Sequence, residues 1–476
     1  MKSNLLTQPF ASLTWIIMLF CLFSSCKKED ISPDPPQVPV SCLGLPNGTQ
    51  IDTVGCSIAI SNDTIRIGVP SGADIKQLLN EIKINGFGIS FPDDWKLVLP
   101  LPITFTISLG HTNTCKYVVN IYEKPFPLIR NTVFVGGRWD NTFYSLDAVT
   151  GHMKWKFTGT QSFYNSSPAI KDMLIYAGSL DGYLYAFNAI IGVVVWKFKT
   201  FEAIESPATV EGNTLYVGSN DGNLYALDAT TGALKWKYYS NGHLSGSPVV
   251  VNGVVYFCSG YTMYALDAST GQLKWWFQTG GDLYKSGPSV VNGVVYVGSN
   301  DYFLYAFDAT TGALKWKCYT GFSLYMSSPT VANGIVYIGG GVNWATRWAG
   351  GVYAVNASTG ALVWESLRIS GVSGSPIIAN GLLYVSTDDG YFNVLNATNG
   401  MEVWKKQIFG EGASPTVANG VVYVGGGRFG YFYAFNAITG EEKWKSPIPQ
   451  SYWMSGPLVV DDAGIAHYSG ESGAVQ

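Results

Sequence analysis

The chain has 476 residues, a formal net charge of −4, and 13% charged against 47% hydrophobic residues. It is too apolar to be disordered, long enough for two or three compact units, and without the clustered positive charge of a nucleic-acid surface. Its 55 Gly, 29 Tyr and 15 Trp tilt it toward strands and turns.

The chain begins with Lys2 and an apolar run, "WIIMLFCLF" from Trp15 to Phe23, closed by "SSC" at Cys26. Residues 1–25 resemble a bacterial lipoprotein signal peptide. Small Ser24 and Ser25 open the bond before Cys26, whose thiol would carry the lipid, although Phe23 stands where Leu is usual. The alternatives are an ordinary signal peptide or a short membrane anchor, but the nine apolar residues fall short of the roughly 20 that span a bilayer. Residues 26–41 then read as a tether, because Pro33, Pro35, Pro36 and Pro39 exclude helix and sheet interior. The "KKED" after Cys26 looks like the signal that sends some lipoproteins to the outer face of the outer membrane. The expected location is therefore the outer membrane, by lipid anchor, on the cell surface rather than the periplasmic face.

Residues 42–124 form a separate unit of alternating strands, "SIAIS", "TIRIGV", "ITFTISL" and "KYVVNIYE", with one amphipathic segment, "DIKQLLNEIKI", carrying Ile75, Leu78, Leu79 and Ile82. The pattern resembles the small Ig-like β-sandwich placed as a spacer in bacterial surface lipoproteins. Of the seven cysteines, Cys21 and Cys26 belong to the signal and anchor. An exported protein permits one bridge among Cys42, Cys56 and Cys115, and which pair closes stays open. Cys258 and Cys318 read as small core residues on strands.

From residue 125 to 476 the chain is periodic. One tryptophan marks each copy, at Trp155, Trp196, Trp236, Trp275, Trp316, Trp364, Trp404 and Trp444, and one proline opens each, from Pro127 to Pro415. The spacing is that of a four-stranded propeller blade, about 40 residues. Within a copy, "NG" predicts a tight hairpin between the first two strands. "DATTG", identical at 228–232 and 308–312, predicts the corner from third to fourth strand, with Asp bonding the turn and Gly taking the left-handed position. The tryptophan that follows offers a flat wedge for the neighbouring blade. A partial ninth copy at Pro457 is expected to pair into the first blade and close the ring.

These corners and tryptophans resemble the PQQ-like repeat of quinoprotein-type propellers. The resemblance implies an all-β protein, an eight-bladed β-propeller of four-stranded antiparallel blades preceded by the Ig-like unit. Its departures are Ile191 and Asn399 for Thr, and Asn188, Asn356, Asn396 and Asn436 for Asp, which still suit the turn. The dehydrogenases of that family carry pyrroloquinoline quinone with calcium, a vicinal disulfide, and carboxylates on non-repeat segments. Here there is no Cys-Cys, the copies run almost uninterrupted, and Asp181, Asp221, Asp301 and Asp389 sit at hairpin turns. The histidines His111, His152, His243 and His467 share no ligand spacing, and "GHLSG" at 242–246 lacks the nucleophile-elbow order. No catalytic residue, metal or cofactor is expected.

What remains is surface. The loops before each proline differ between copies, with Tyr164, Tyr284, Tyr325 and Trp453 four places ahead of it, and the sixth copy inserts "GGGVNWATRWAGG" with Trp344, Arg347 and Trp348. Tyr, Trp and Arg on loops are the residue types that anchor protein interfaces and stack on sugars. The expected function is a non-enzymatic scaffold binding a protein, similar to the propeller lipoprotein of the outer-membrane β-barrel assembly machinery. A surface glycan-binding protein is the alternative and a quinoprotein dehydrogenase the remote one.

Overall fold

A computed structural model describes residues 129–468 apart from 138–139, 164–165, 325, 342–349, 368, 410–412, 427–429 and 449–455; before residue 129 it describes the backbone of the strands alone. The signal, Cys26, the tether and residues 70–82 lie outside the described residues, as does Pro127. Two compact units divide at residue 128. In the first, Gln50–Thr53, Cys56–Ser61, Thr64–Val69, Cys115–Glu123 and Ile103–Leu109 lie side by side in one sheet. Only Thr64–Val69 and Cys115–Glu123 run parallel. Lys83–Ile84 and Phe87–Gly88 form a separate ladder.

The second unit is an eight-bladed propeller of four-stranded antiparallel blades, the first of which carries a fifth strand. The fourth blade shows the plan, with Val249–Val251 innermost, then Val254–Ser259, Thr262–Asp267 and, outermost, Leu273–Gln278. Asn252 and Gly253 turn the first hairpin with φ of 51° and 73°, the pair of positive angles that such a two-residue turn needs. The second and third strands are buried almost end to end because a neighbouring blade covers each face, whereas the outer strand alternates.

Each corner is held as its residues dictate. Asp228 accepts from the N–H groups of Thr230 and Thr231 and from the Thr231 hydroxyl. Asn188 and Asn356 accept the same backbone bonds. The preceding blade's tryptophan then lies flat on the corner glycine, so that a Cβ on Gly232 would stand 2.6 Å from the Trp196 ring. Its indole donates to the corner alanine carbonyl, as Trp196 does to Ala229 at 3.2 Å and Trp275 to Ala309 at 2.9 Å. A tyrosine of the second strand reaches the same carbonyl: Tyr176 also donates to Ala229, at 2.9 Å. The first blade has Phe134 at that place and lacks this second donor.

The ring closes through the C-terminal segment. Leu458–Val460 pairs antiparallel with Thr132–Gly136 and supplies the first blade's inner strand, as the partial ninth copy predicts. The chain then turns at Asp461, and Ala466–His467 pairs back on Leu458–Val460. His467 bonds the buried Asp461 at 2.9 Å, and Tyr468 packs beneath the inner strand of the second blade.

Candidate functional site

Antiparallel order puts the loops between blades and the second hairpin of each blade on one face, and the "NG" hairpins and corners on the other. Backbone bonds tie the first two together: Asn220 donates to Ala203, Asn300 to Asp282 and Asp388 to Gly371. The hairpin carboxylates are consumed locally. Asp181 accepts from the Tyr183 N–H and the Tyr185 hydroxyl, Asp221 from Asn223 and Tyr225, and Asp301 from Phe303 and Tyr305. Burial pushes the Asp221 carboxyl up, but the donated bonds outweigh it and hold the group below its usual range. Burial and the Asp301 bond push the Tyr305 hydroxyl up to about 12. Each of these carboxylates thus closes its own hairpin turn.

An apolar side chain seats each of six inter-blade loops. Phe163, Ile204, Leu244, Leu283, Leu324 and Val372 are all fully buried. Leu244 covers Gly218 so closely that a Cβ there would lie 2.5 Å from its own Cβ, and Val372 covers Gly339 in the same way. The position four before the proline is therefore not equivalent around the ring. It is a plug at Leu244 and Val372 but a half-buried aromatic at Tyr284, one place beyond the plug Leu283.

Near the axis this face is asymmetric. Glu205 and Lys285 stand two and three places before their prolines, where every other copy from the second onward has an uncharged residue. They pair at 3.9 Å across loops that flank blades three and four, with side chains 17% and 14% exposed. Asn220 donates to Glu205 at 3.2 Å, and His243 bonds the Asn220 carbonyl at 2.8 Å. The Lys285 ammonium lies 5.4 Å from the Tyr284 ring centre. Tyr284, with φ 20°, is held by an N–H bond to Asp282. Farther round, Ser323 donates to Asn300 and Ser373 to Asp388.

Of the seven surface residues expected from sequence, Tyr284 stands in this cluster, and Tyr164, Tyr325, Trp344, Arg347, Trp348 and Trp453 lie outside the described residues. Sequence reasoning missed Glu205, Lys285 and Asn220. The signal was available, since among the copies from the second onward charge stands two or three places before the proline only at Glu205 and Lys285. Among the described residues no group of three or more His, Cys, Asp or Glu could hold a metal ion. None of their helices is long and apolar enough to cross a membrane.

The family model of outer membrane protein assembly factor BamB matches at residues 120–262, 192–283, 259–446 and 393–474. No curated protein matches. The crystal structure of BamB from Moraxella catarrhalis is similar at TM-score 0.53 and 23% identity, over 63% of this chain and 89% of that one. The computationally designed Ika8 protein is similar at TM-score 0.51 and 18% identity, over 62% and 91%. At these identities the likeness to the solved structures is one of fold.

Proposed function

We propose that this chain, which belongs to the family of outer membrane protein assembly factor BamB, is a non-enzymatic, lipid-anchored scaffold that binds proteins at the outer membrane of a bacterial envelope. Family membership supplies the class of role. What supports its placement on the loop face is the break in symmetry there: the corners repeat because every blade needs them, whereas the paired Glu205 and Lys285 each stand where the other copies from the second onward have an uncharged residue. A partner that meets one sector of a ring must touch what only that sector has. Tyr284, with Tyr164, Tyr325, Trp344, Arg347, Trp348 and Trp453 from the same loops by sequence, supplies the residue types that anchor interfaces. Cys26 is the proposed lipid attachment, and the proline tether holds the folded units off the bilayer.

Depletion of the protein tests the role. Outer-membrane β-barrel proteins should fall in abundance, and an unchanged barrel content would remove the assembly reading. Orientation is tested separately, because an assembly factor works from the periplasm whereas "KKED" after Cys26 reads as a surface signal. Protection from protease on intact cells supports assembly. Digestion of the propeller on intact cells contradicts it.

A further inference from the structure

The outer rim of the propeller has a charge and ring pattern that goes beyond the contacts its lysines make within their own blades, as Lys197 makes with Tyr183 and Lys317 with Phe303. Every outer strand except Leu362–Ser366 carries lysine, and only Glu365, Glu402 and Glu442 oppose these lysines within the strands. The lysine before the blade tryptophan is tied to a corner acid, as Lys235 is to Asp228, Lys274 to Asp267 and Lys315 to Asp308, at 3.6–3.8 Å. The residue after the tryptophan meets no corner acid, although Lys405 and Lys445 pair with Glu402 and Glu442 of their own strands. It is Lys in six copies, Glu365 in the sixth, and in the fourth it is Trp276, 57% exposed.

Register places Lys237, Trp276 and Lys317 at the same height on three consecutive blades, opposite Tyr225, Tyr264 and Tyr305 of their own sheets. Two residues further along the outer strands of blades three and five stand Tyr239 and Tyr319, 62% and 63% exposed. Lysine alone on an edge strand guards against edge-to-edge pairing. Large exposed rings have the opposite effect, and edge protection does not account for them.

We propose that the rim of blades three to five binds an anionic polysaccharide, a chain of sugar acids whose rings stack on Trp276, Tyr239 and Tyr319 while its carboxylates meet Lys237 and Lys317. Charge complementarity selects an anion, and flat exposed rings select a partner with sugar faces. The convex curve of the rim favours a flexible polymer, which can follow successive blades, over a flat bilayer, which touches a disc edge along one line. This surface is distinct from the loop face and does not depend on the assembly reading.

The test uses the full-length protein with immobilised polygalacturonate as probe, and neutral dextran, phosphatidylglycerol vesicles and duplex DNA as comparisons. Polygalacturonate should bind in a salt-sensitive manner and the other three weakly. Trp276→Ala should lower affinity about tenfold, and Lys237→Gln with Lys317→Gln should flatten the salt dependence. The control pair Lys405→Gln and Lys445→Gln, on blades with Gln407 and Pro447 in place of the exposed tyrosines, should leave binding unchanged. Trp276→Lys separates stacking from charge, because it restores the lysine of the other copies and should weaken binding. Tighter binding by Trp276→Lys, equal loss in the control pair, no binding of polygalacturonate, or preference for vesicles or DNA would each overturn the proposal.

Discussion

Trp444 of the last blade donates its indole N–H to the carbonyl of Ala148 in the first at 3.0 Å, across 296 positions of sequence. Tyr423 donates to the same carbonyl at 3.2 Å. The seam where the last blade meets the first is thus built as the other inter-blade contacts are. Trp444→Phe keeps most of the ring surface and loses the N–H bond, and should cost about 1 kcal/mol. Trp444→Ala also leaves a cavity and should cost about 3–5 kcal/mol. Urea unfolding of both variants checks this. Equal losses would mean that the N–H bond, not the ring, holds the seam.

The corner glycines answer to two demands at once. Gly232 has φ 72°, and a Cβ on it would meet the Trp196 ring at 2.6 Å. Gly232→Ala should therefore cost more than the roughly 1 kcal/mol of a left-handed alanine alone. Gly253, with φ 73° and open space around it, gives the reference for backbone strain without the clash. A thermal melt in which the two variants lose the same stability would show that the tryptophan yields freely.

Removal of residues 457–476 takes away the inner strand of the first blade and leaves Thr132–Gly136 with an unpaired, buried-type edge. The truncated chain should unfold at a lower temperature and aggregate on heating. A truncation that unfolded with the full chain's midpoint, followed by circular dichroism, would show that Leu458–Val460 is dispensable for closure.

Acid should loosen the ring at specific corners. Bonds from the Ser269 hydroxyl and from the hydroxyl and N–H of Thr270 lower the Asp267 carboxyl from 3.8 to about 2. Asp308 is lowered by Thr311, and Asp147 and Asp228 are lowered by their threonines despite some burial. A depressed folded-state value means stability that is present above 3.8 and lost as pH falls toward about 2. The midpoint of thermal unfolding should fall through that window. Asp267→Asn with Asp308→Asn should flatten the fall, because the corners at Asn188, Asn356, Asn396 and Asn436 already do without a titrating group. An unchanged acid slope in the double variant would place the titration elsewhere.

The corner was readable in sequence because Asp, Thr, Gly and Trp do their work within a few residues and recur. Ring closure was readable because Pro457 opens a further copy after the eight that the tryptophans mark. The second-strand tyrosines were not, since Tyr176 or Tyr423 in a buried strand looks like any core aromatic until the next blade's carbonyl is in place. Loop register misled: loops of unequal length put Leu244 and Val372, which turn inward, at the same count from proline as Tyr284. The Glu205–Lys285 pair joins loops 80 positions apart, and no local pattern announces such a contact.

The central claim is that the loop face, not the corner face, meets the partner. Photo-cross-linking in cells measures it most directly, with a benzophenone side chain placed at Tyr284 and, in a second strain, at Thr230, an exposed corner residue on the opposite face. Position 284 should capture a component of outer-membrane β-barrel assembly, identified by mass spectrometry, and position 230 should not. Capture of that component at 230 and none at 284 would contradict the account.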